Sequence, residues 1–250
     1  MQKIFCFTVL VVLAGYCPAQ NNSTTLPSSI TFERTVVQQT NGEEGKATTT
    51  YYFTINGDYA MAKHDEVGED EKAMVLYTKD GKMCMINEKE KTIVIMNMPK
   101  MMGDAGNAIK EGIKKHPLPK KDNEEKMTVT KTGKTKTICG YTAYEYEITN
   151  EKGKSSWWYA AVDFDPIKIY TMGAGNSSMA DKIKDNPAMK NNPMAIPVMN
   201  KNYLWAEIEV AGNLPAGQAG KGMETKSITK TTFTFSTAGY SIQEMGKKKQ

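Results

Sequence analysis

The feature that most constrains the fold is a two-residue alternation of apolar and polar side chains along much of the chain. Tyr51, Phe53 and Ile55 alternate with more polar neighbours, and Asn56-Gly57-Asp58 then supplies the residues of a tight turn. Successive side chains of a strand point to opposite faces, so this period is typical of strands. A second turn pair, Asp80-Gly81, is flanked by two similar segments, which indicates a hairpin. The pattern predicts a meander of antiparallel strands with short connections.

The same criteria divide residues 30–245 into strands with one helical break and one irregular stretch. Pro99 to Lys115 carries apolar residues near helical spacing, which predicts a short amphipathic helix. Pro166 to Val198 is rich in proline and methionine, which predicts short helical turns and loops. We therefore expect a mainly β (α+β) fold in a single domain. The predicted strands are Ala73 to Thr78, Lys82 to Asn87, Thr92 to Met98, Met127 to Lys131, Thr135 to Cys139, Tyr141 to Thr149, Lys154 to Val162, Tyr203 to Val210, Gly222 to Lys230 and Thr231 to Phe235.

The first residues predict export. One positive charge precedes an apolar run from Ile4 to Ala14, and small residues follow near Cys17. The sequence therefore predicts a signal peptide over residues 1–19, a flexible lead-in over residues 20–29 and a mature protein that is periplasmic or secreted. A lipoprotein acylated at Cys17 is the alternative. Tyr16 disfavours it, because the residue before an acylated cysteine is normally small.

Charge and motif content narrow the function classes. Of the 32 basic residues only Arg34 is arginine, and 28 acidic residues are interleaved with them, for a net charge of +4. Specific recognition of bases and phosphates depends on the bidentate geometry of arginine, so we expect no nucleic-acid partner. The sequence lacks the serine-elbow, zinc-protease and EF-hand motifs, and we expect neither an enzyme nor a bound cofactor. No later apolar run is long enough to predict a transmembrane segment, and the lysine-rich residues 246–250 predict a disordered tail.

Methionine is the unusual component, with 17 residues in 250. Met83 and Met85 flank Cys84, and Met96 and Met98 lie on the next predicted strand. Because residues two apart on a strand share a face, each pair is expected to present its thioethers together. One interpretation is a flexible apolar lining. The other is a Cu(I) site, since soft sulfur ligands suit that ion.

Aromatic residues supply the second set of candidate ligand contacts. Tyr144 and Tyr146 share one face of their predicted strand, and Glu145 lies on the other. Trp157 and Trp158 are adjacent, so one is expected to enter the core while the other meets solvent, a helix or a ligand. Faces of this composition commonly line sites for apolar ligands. The predicted ligand-binding set is Met83, Met85, Met96, Met98, Tyr144, Tyr146, Trp157 and Trp158.

Two cysteines, Cys84 and Cys139, remain after the predicted cleavage. A disulfide between them would contribute about 4 kcal/mol in the chain-entropy model, and an oxidising compartment permits it. The alternative is two separately buried thiols, and the sequence favours neither.

The segment from Lys131 to Tyr141, followed by Tyr144-Glu145-Tyr146, resembles the central signature of an exported bacterial family, domain of unknown function family 4412. The Trp157-Trp158 strand and the closing Phe233-Thr234-Phe235 segment are similar to that family's layout. Family members often carry a cysteine shortly after the Gly-Tyr pair, where this chain has Thr142-Ala143. The family looks like a relative of the LolA/LolB-type lipoprotein carriers. The resemblance therefore implies a LolA-like half-barrel, in which short helices pack on the concave face of a strongly curved antiparallel sheet.

This resemblance also implies a function. The expected protein is a non-enzymatic exported envelope protein that binds or carries a lipid or other apolar ligand in a cavity under the curved sheet. Two alternatives stay open: a Cu(I)-binding protein that uses the methionine clusters, and a structural or sensory envelope protein that binds a protein partner. Binding measurements separate the three, because each names a different ligand.

Overall fold

The computed structural model describes residues 26–42, 45–65, 73–97, 101, 127–151, 153–171, 192–200, 202–211 and 220–245. Within these ranges the chain forms fourteen strands, two short helices and one 3-10 turn. The mainly β fold class predicted from the alternation is therefore confirmed. The strands are β1 (Ser29–Phe32), β2 (Arg34–Gly42), β3 (Gly45–Phe53), β4 (Tyr59–Asp65), β5 (Ala73–Thr78), β6 (Lys82–Asn87), β7 (Thr92–Asn97), β8 (Thr128–Ile138), β9 (Tyr141–Asn150), β10 (Gly153–Ala161), β11 (Tyr203–Ala211), β12 (Gly220–Thr229), β13 (Phe233–Ser236) and β14 (Ser241–Glu244).

Twelve of these strands form one sheet, in the order β14-β7-β6-β5-β4-β3-β2-β12-β11-β10-β9-β8. Every neighbouring pair is antiparallel except β14 and β7, which are parallel. β14 and β8 are the two edges, so the sheet does not close on itself. The remaining strands, β1 and β13, pair with each other in a separate antiparallel ribbon. The last predicted strand, Thr231 to Phe235, is thus shifted to β13 and lies outside the main sheet.

Tight turns account for the regular meander at one end of the sheet. Gly57 and Gly81 have φ angles of 70° and 79°, which a glycine adopts without steric cost. Gly57 also lies close to Asp165, because a Cβ added at Gly57 would be 3.4 Å from the Asp165 Cβ. These turns connect β3 to β4 and β5 to β6, and the bounds of β5 and β6 match the predicted ones.

The two strands predicted between Met127 and Cys139 are in fact one strand, β8. Lys131 pairs with Tyr146 and Thr135 pairs with Tyr144, so three residues of β8 stand opposite Glu145 alone. Gly133, at the centre of this bulge, has a φ of 82°. A bulge interrupts the alternation without ending the hydrogen-bonded ladder, which is why the sequence pattern suggested a break.

Two apolar clusters hold the sheet. The first joins β2, β3 and β4 to β9, β10 and β11, and includes Phe53, Ala60 and Leu204. The second lies between β4–β7 and the β1–β13 ribbon, and includes Phe32 and Met61. β1 contributes Phe32 to this cluster and begins at Ser29, the last residue of the predicted lead-in.

The described helices are short and pack close to the sheet. α1 (Ile167–Tyr170) contacts β4 and β5, and α2 (Ile196–Met199) follows the 3-10 turn Pro193–Ala195 and contacts α1 and β11. The Ile167 N–H donates to Asp165 Oδ1 at 2.9 Å, which satisfies one of the unpaired amides at the start of α1. Short helical turns were predicted in this stretch. The helix predicted over Pro99 to Lys115 lies outside the described residues except for Met101.

A bidentate ion pair fixes the segment between β10 and α1. Arg34 Nε donates to Asp163 Oδ1 at 3.0 Å, and Arg34 Nη2 donates to Asp163 Oδ2 at 2.6 Å. Tyr141 also donates its hydroxyl to Asp163, and Lys230 lies 3.7 Å away. The only arginine of the chain therefore ties β2 to the segment that leads into α1.

Among the described residues, no helix has the length and apolar character needed to span a membrane.

Candidate functional site

The methionines of β6 and β7 lie on one face of the sheet. Met83 pairs directly with Met96, and Met85 pairs with Val94. Directly opposed residues of antiparallel strands share a face, so these side chains are neighbours. The intervening Cys84 points the other way, into the second cluster. The expectation that Met83 and Met85 share a face is confirmed, whereas Met98 lies outside the described residues.

Residues of β5 extend this surface, which we call the methionine face. Tyr77 pairs with Met83, and Val75 pairs with Met85. Met96 is only 4% exposed, and Met83 and Met85 are half-buried. Burial raises the pKa of Tyr77 to about 12, so its hydroxyl stays neutral. The methionine face consists of Val75, Tyr77, Met83, Met85, Val94 and Met96.

Tyrosines and tryptophans of β9, β10 and β11 form a second surface, which we call the aromatic face. Trp157 pairs with Tyr146 on β9 and stacks on Trp205 with ring centroids 4.5 Å apart. Tyr146 meets the ring of Tyr159 edge-on at 5.3 Å. The rings of Tyr144 on β9 and Tyr203 on β11 stack with their centroids 5.7 Å apart. Offset and edge-on contacts between aromatic rings are energetically favourable. The aromatic face consists of Tyr144, Tyr146, Trp157, Tyr159, Tyr203 and Trp205.

Three of these aromatic residues, Tyr159, Tyr203 and Trp205, were missing from the predicted set. Tyr203 and Trp205 stand two apart at the start of β11, and that spacing was the available signal. Their pairing with β10 cannot be read from the spacing alone. The register shifts between Trp158 and Tyr159, and this irregularity brings Trp205 opposite Tyr159.

The helix α1 lies between the methionine face and the aromatic face. The main-chain N–H of Trp205 donates to the Tyr170 hydroxyl oxygen at 2.6 Å, and the two side-chain rings are 6.5 Å apart. Ile169 packs against the first apolar cluster, as does Tyr77 of the methionine face. α1 therefore contacts the aromatic face through Tyr170, and its Ile169 packs on the same apolar cluster as Tyr77.

Trp158 does not join the aromatic face. It pairs with Glu145 on β9 and Glu207 on β11, and it is 7% exposed. The Lys136 ammonium lies 4.0 Å from the centre of its ring and 3.1 Å from a Glu207 oxygen. The prediction that the two adjacent tryptophans face opposite ways is confirmed. On this reverse side of the sheet Trp158 belongs to the first apolar cluster and lies beside an ionic cluster that includes Lys136, Glu145 and Glu207.

The bulge of β8 binds the Glu145 carboxylate of this ionic cluster. The Thr132 hydroxyl donates to Glu145 Oε2 at 2.6 Å, and Lys134 Nζ lies 3.1 Å from the same oxygen. Burial raises the pKa of Glu145, but hydrogen bonds from Thr132, Ser156 and Lys134 outweigh it, and the net effect lowers the pKa. Glu145 is therefore ionised, and its Oε2 is bound by both Thr132 and Lys134.

Cys84 and Cys139 are both free thiols in the structure, so the disulfide that the sequence left open is not formed there. Cys84 is buried in the second cluster, and burial raises its pKa to about 12. Cys139 is an exposed turn residue whose thiol donates to the Thr225 carbonyl of β12 at 3.6 Å. The expectation of two buried thiols is therefore correct for Cys84 and wrong for Cys139.

Within the described ranges, no group of three His, Cys, Asp or Glu side chains is placed to hold a metal ion. His64 Nδ1 of β4 lies at hydrogen-bond distance, 2.9 Å, from the Thr49 hydroxyl of β3.

Comparison with known proteins gives distant likenesses of shape. No protein-family model matches the chain, and no curated protein is significantly similar to it. One similar solved structure is an uncharacterised conserved protein from Thermus thermophilus, at 6% identity and a TM-score of 0.39, covering 85% of this chain and 90% of that one. Another is PNGF-II crystallised in space group C2, at 10% identity and a TM-score of 0.38, covering 85% of this chain and 31% of that one.

Proposed function

We propose that this protein binds a lipid or another apolar ligand on the methionine and aromatic faces and catalyses no reaction. The observation that carries the proposal is the shared face of Met83, Met85 and Met96. These thioethers lie on the side of β6 and β7 opposite the second apolar cluster. They therefore take no part in the packing of that cluster. The same surface is flanked by α1, which links it to the stacked rings of the aromatic face.

The composition of these surfaces suits a ligand of irregular shape. Methionine is unbranched and polarisable, and its side chain adapts to different apolar partners. Stacked aromatic rings add large, rigid apolar area. Each ligand methylene that leaves water on such a surface contributes about 0.8 kcal/mol, so a long alkyl chain supplies sufficient free energy for micromolar binding.

The location and the family form part of the same proposal. The predicted signal peptide and the resemblance to family 4412 support an exported envelope protein. A LolA-like curvature of the sheet would place the helices over the ligand, and the packing of α1 against β4 and β5 is consistent with this arrangement.

The test is a titration of the full chain with the neutral fluorescent probe Nile red, followed by displacement with dodecanol. Met85→Glu places a carboxylate on the methionine face, and we expect at least about a tenfold loss of affinity because burying that charge is costly. Ile242→Glu is the matched control, since Ile242 is an exposed apolar residue, 37% accessible, on the edge strand β14. Equal affinity of Met85→Glu and the parent protein would contradict the proposal, as would failure of Nile red to bind.

The Cu(I) hypothesis has one observation in its favour, the direct opposition of Met83 and Met96. Titration with Cu(I) against a competing chelator tests it. Submicromolar stoichiometric binding that is lost in Met83→Leu would support a copper site, and weaker binding would end the hypothesis.

A further inference from the structure

One lysine, Lys131, lies among the rings of the aromatic face. It belongs to the edge strand β8 and pairs directly with Tyr146 of β9, so the two side chains share a face. The Lys131 ammonium lies 4.9 Å from the centre of the Tyr144 ring and 5.9 Å from the centre of the Tyr146 ring. Both distances are typical of a cation–π contact. The two tyrosine rings therefore hold a positive charge on the aromatic face.

The strand register shows which residues surround this charge. A row of directly paired residues crosses the sheet from β8 to β12, and it consists of Lys131, Tyr146, Trp157, Ile208 and Met223. The rows on either side of it on the same face consist of Val129, Ile148, Ser155 and Val210, and of Thr135, Tyr144, Tyr159 and Trp205. Burial raises the pKa of Tyr146, so its hydroxyl adds no negative charge. Among the residues of these three rows, all of which the structure describes, Lys131 is the only one with a charged side chain.

The glutamates of the same strands lie on the reverse side of the sheet, because they alternate with the residues of the three rows. These glutamates are Glu145, Glu147, Glu207 and Glu209. On that side Lys134 and Lys136 form ion pairs with them. Lys131, in contrast, forms no ion pair with any residue that the structure describes. An anion that approaches the three rows therefore meets an ammonium group and no carboxylate.

We propose that Lys131 binds the anionic head group of an amphiphile, a carboxylate or a phosphate, whose alkyl chain begins on the aromatic face. This inference rests on the proposed function and specifies the charge of its ligand. The ammonium group carries three N–H donors, and charge-assisted hydrogen bonds to anionic oxygens are stronger than neutral ones. The half-buried rings of Tyr146 and Trp157 follow Lys131 in the same row and offer apolar area to the first methylenes of the chain.

The experiment measures displacement of Nile red from the full chain by dodecanoic acid, dodecyl phosphate and dodecanol. The three compounds share an alkyl chain and differ in the head group, and at about pH 8 both acids are ionised. We expect each anion to bind about fivefold more tightly than the alcohol, as an exposed ion pair allows. This preference should fall in high salt, because the charge of an exposed lysine is screened. The tighter of the two anions distinguishes a fatty-acid carboxylate from a phospholipid phosphate.

Variants of Lys131 assign the preference to this residue. Lys131→Met should remove the preference for the anions and leave the affinity for dodecanol nearly unchanged, whereas Lys131→Arg should retain the preference. Lys154→Met is the matched control, since the Lys154 side chain is 62% exposed and pairs with Glu147 on the reverse side of the sheet. It should bind all three compounds as the parent protein does.

The outcomes separate this inference from the proposed function. Equal affinity of the parent protein for the anions and the alcohol would overturn the role of Lys131 while leaving apolar binding intact. That result is expected if Lys131 only keeps the edge strand β8 from pairing with other chains. An unchanged preference in Lys131→Met would also overturn the role. Failure of all three compounds to displace Nile red would contradict the proposed function itself.

Discussion

Replacing Asp163 by asparagine tests how the fold positions α1. The Arg34 hydrogen bonds hold the pKa of Asp163 at about 2, below its ordinary value of 3.8. At about 1.4 kcal/mol per pKa unit, the ionised carboxylate accounts for about 2 kcal/mol of stability at neutral pH. The Asp163 side chain is 39% exposed, so solvent screening reduces this contribution to about 1 kcal/mol.

Loss of the negative charge also leaves Arg34 poorly compensated. The Arg34 side chain is 9% exposed, and its other described acceptor is the Glu33 carbonyl at 2.9 Å. Leaving a mostly buried guanidinium with a neutral amide adds about 1 kcal/mol to the loss. We therefore expect Asp163→Asn to lower the free energy of unfolding by about 2 kcal/mol and Tm by about 5 °C.

Urea unfolding across a pH series is the assay. Because the folded-state pKa of Asp163 is depressed, its contribution is complete above the unfolded pKa near 4 and is lost as pH falls through about 2. The stability difference between parent and Asp163→Asn should thus be constant from pH 7 to about 5 and shrink below about 4. Glu147→Gln is the control, since its pair with Lys154 is exposed and worth little. A difference that does not change with pH, or a variant as stable as the parent, would refute the reasoning.

Three further predictions concern other parts of the fold. Cys139 has a φ of 49° and precedes Gly140 in the hairpin turn, a position that favours asparagine. Cys139→Asn should therefore raise the free energy of unfolding by about 0.5 kcal/mol, and Cys139→Val should lower it. Urea unfolding measures both changes. Lys136→Met should lower stability by about 2 kcal/mol because it leaves Glu207 buried without that partner, and thermal unfolding of Lys136→Met with Glu207→Met should show partial recovery. Alkylation of the native chain followed by peptide mapping should label Cys139 and spare Cys84 until denaturant is added, and equal labelling would contradict the burial of Cys84.

Local patterns predicted most of the sheet. The turn residues around Gly57 and Gly81 and the alternation between them located β5 and β6 to the residue. The same alternation placed Met83 with Met85 and separated Trp157 from Trp158, because the side-chain period of a strand does not depend on its neighbours.

The alternation of apolar and polar residues does not predict how strands distant in the sequence pair with each other. The register of β10 with β11 shifts at Trp158, and the bulge of β8 places three residues opposite Glu145. Such irregularities decide that Trp205 stacks on Trp157 and that Glu145 is buried, although a glutamate suggests an exposed position.

The most direct test of the account is a nuclear magnetic resonance titration of the full chain, labelled at its methionine methyl groups, with dodecanoic acid. The resonances are assigned with single methionine-to-leucine variants. We predict that the resonances of Met83, Met85 and Met96 shift, because these residues lie on the proposed binding surface. Met61 and Met74, at 0% and 3% exposure in the second cluster, are internal controls and should not move. Shifts at Met61 and Met74 that equal those of the other three, or no shift at Met83, Met85 and Met96, would contradict it.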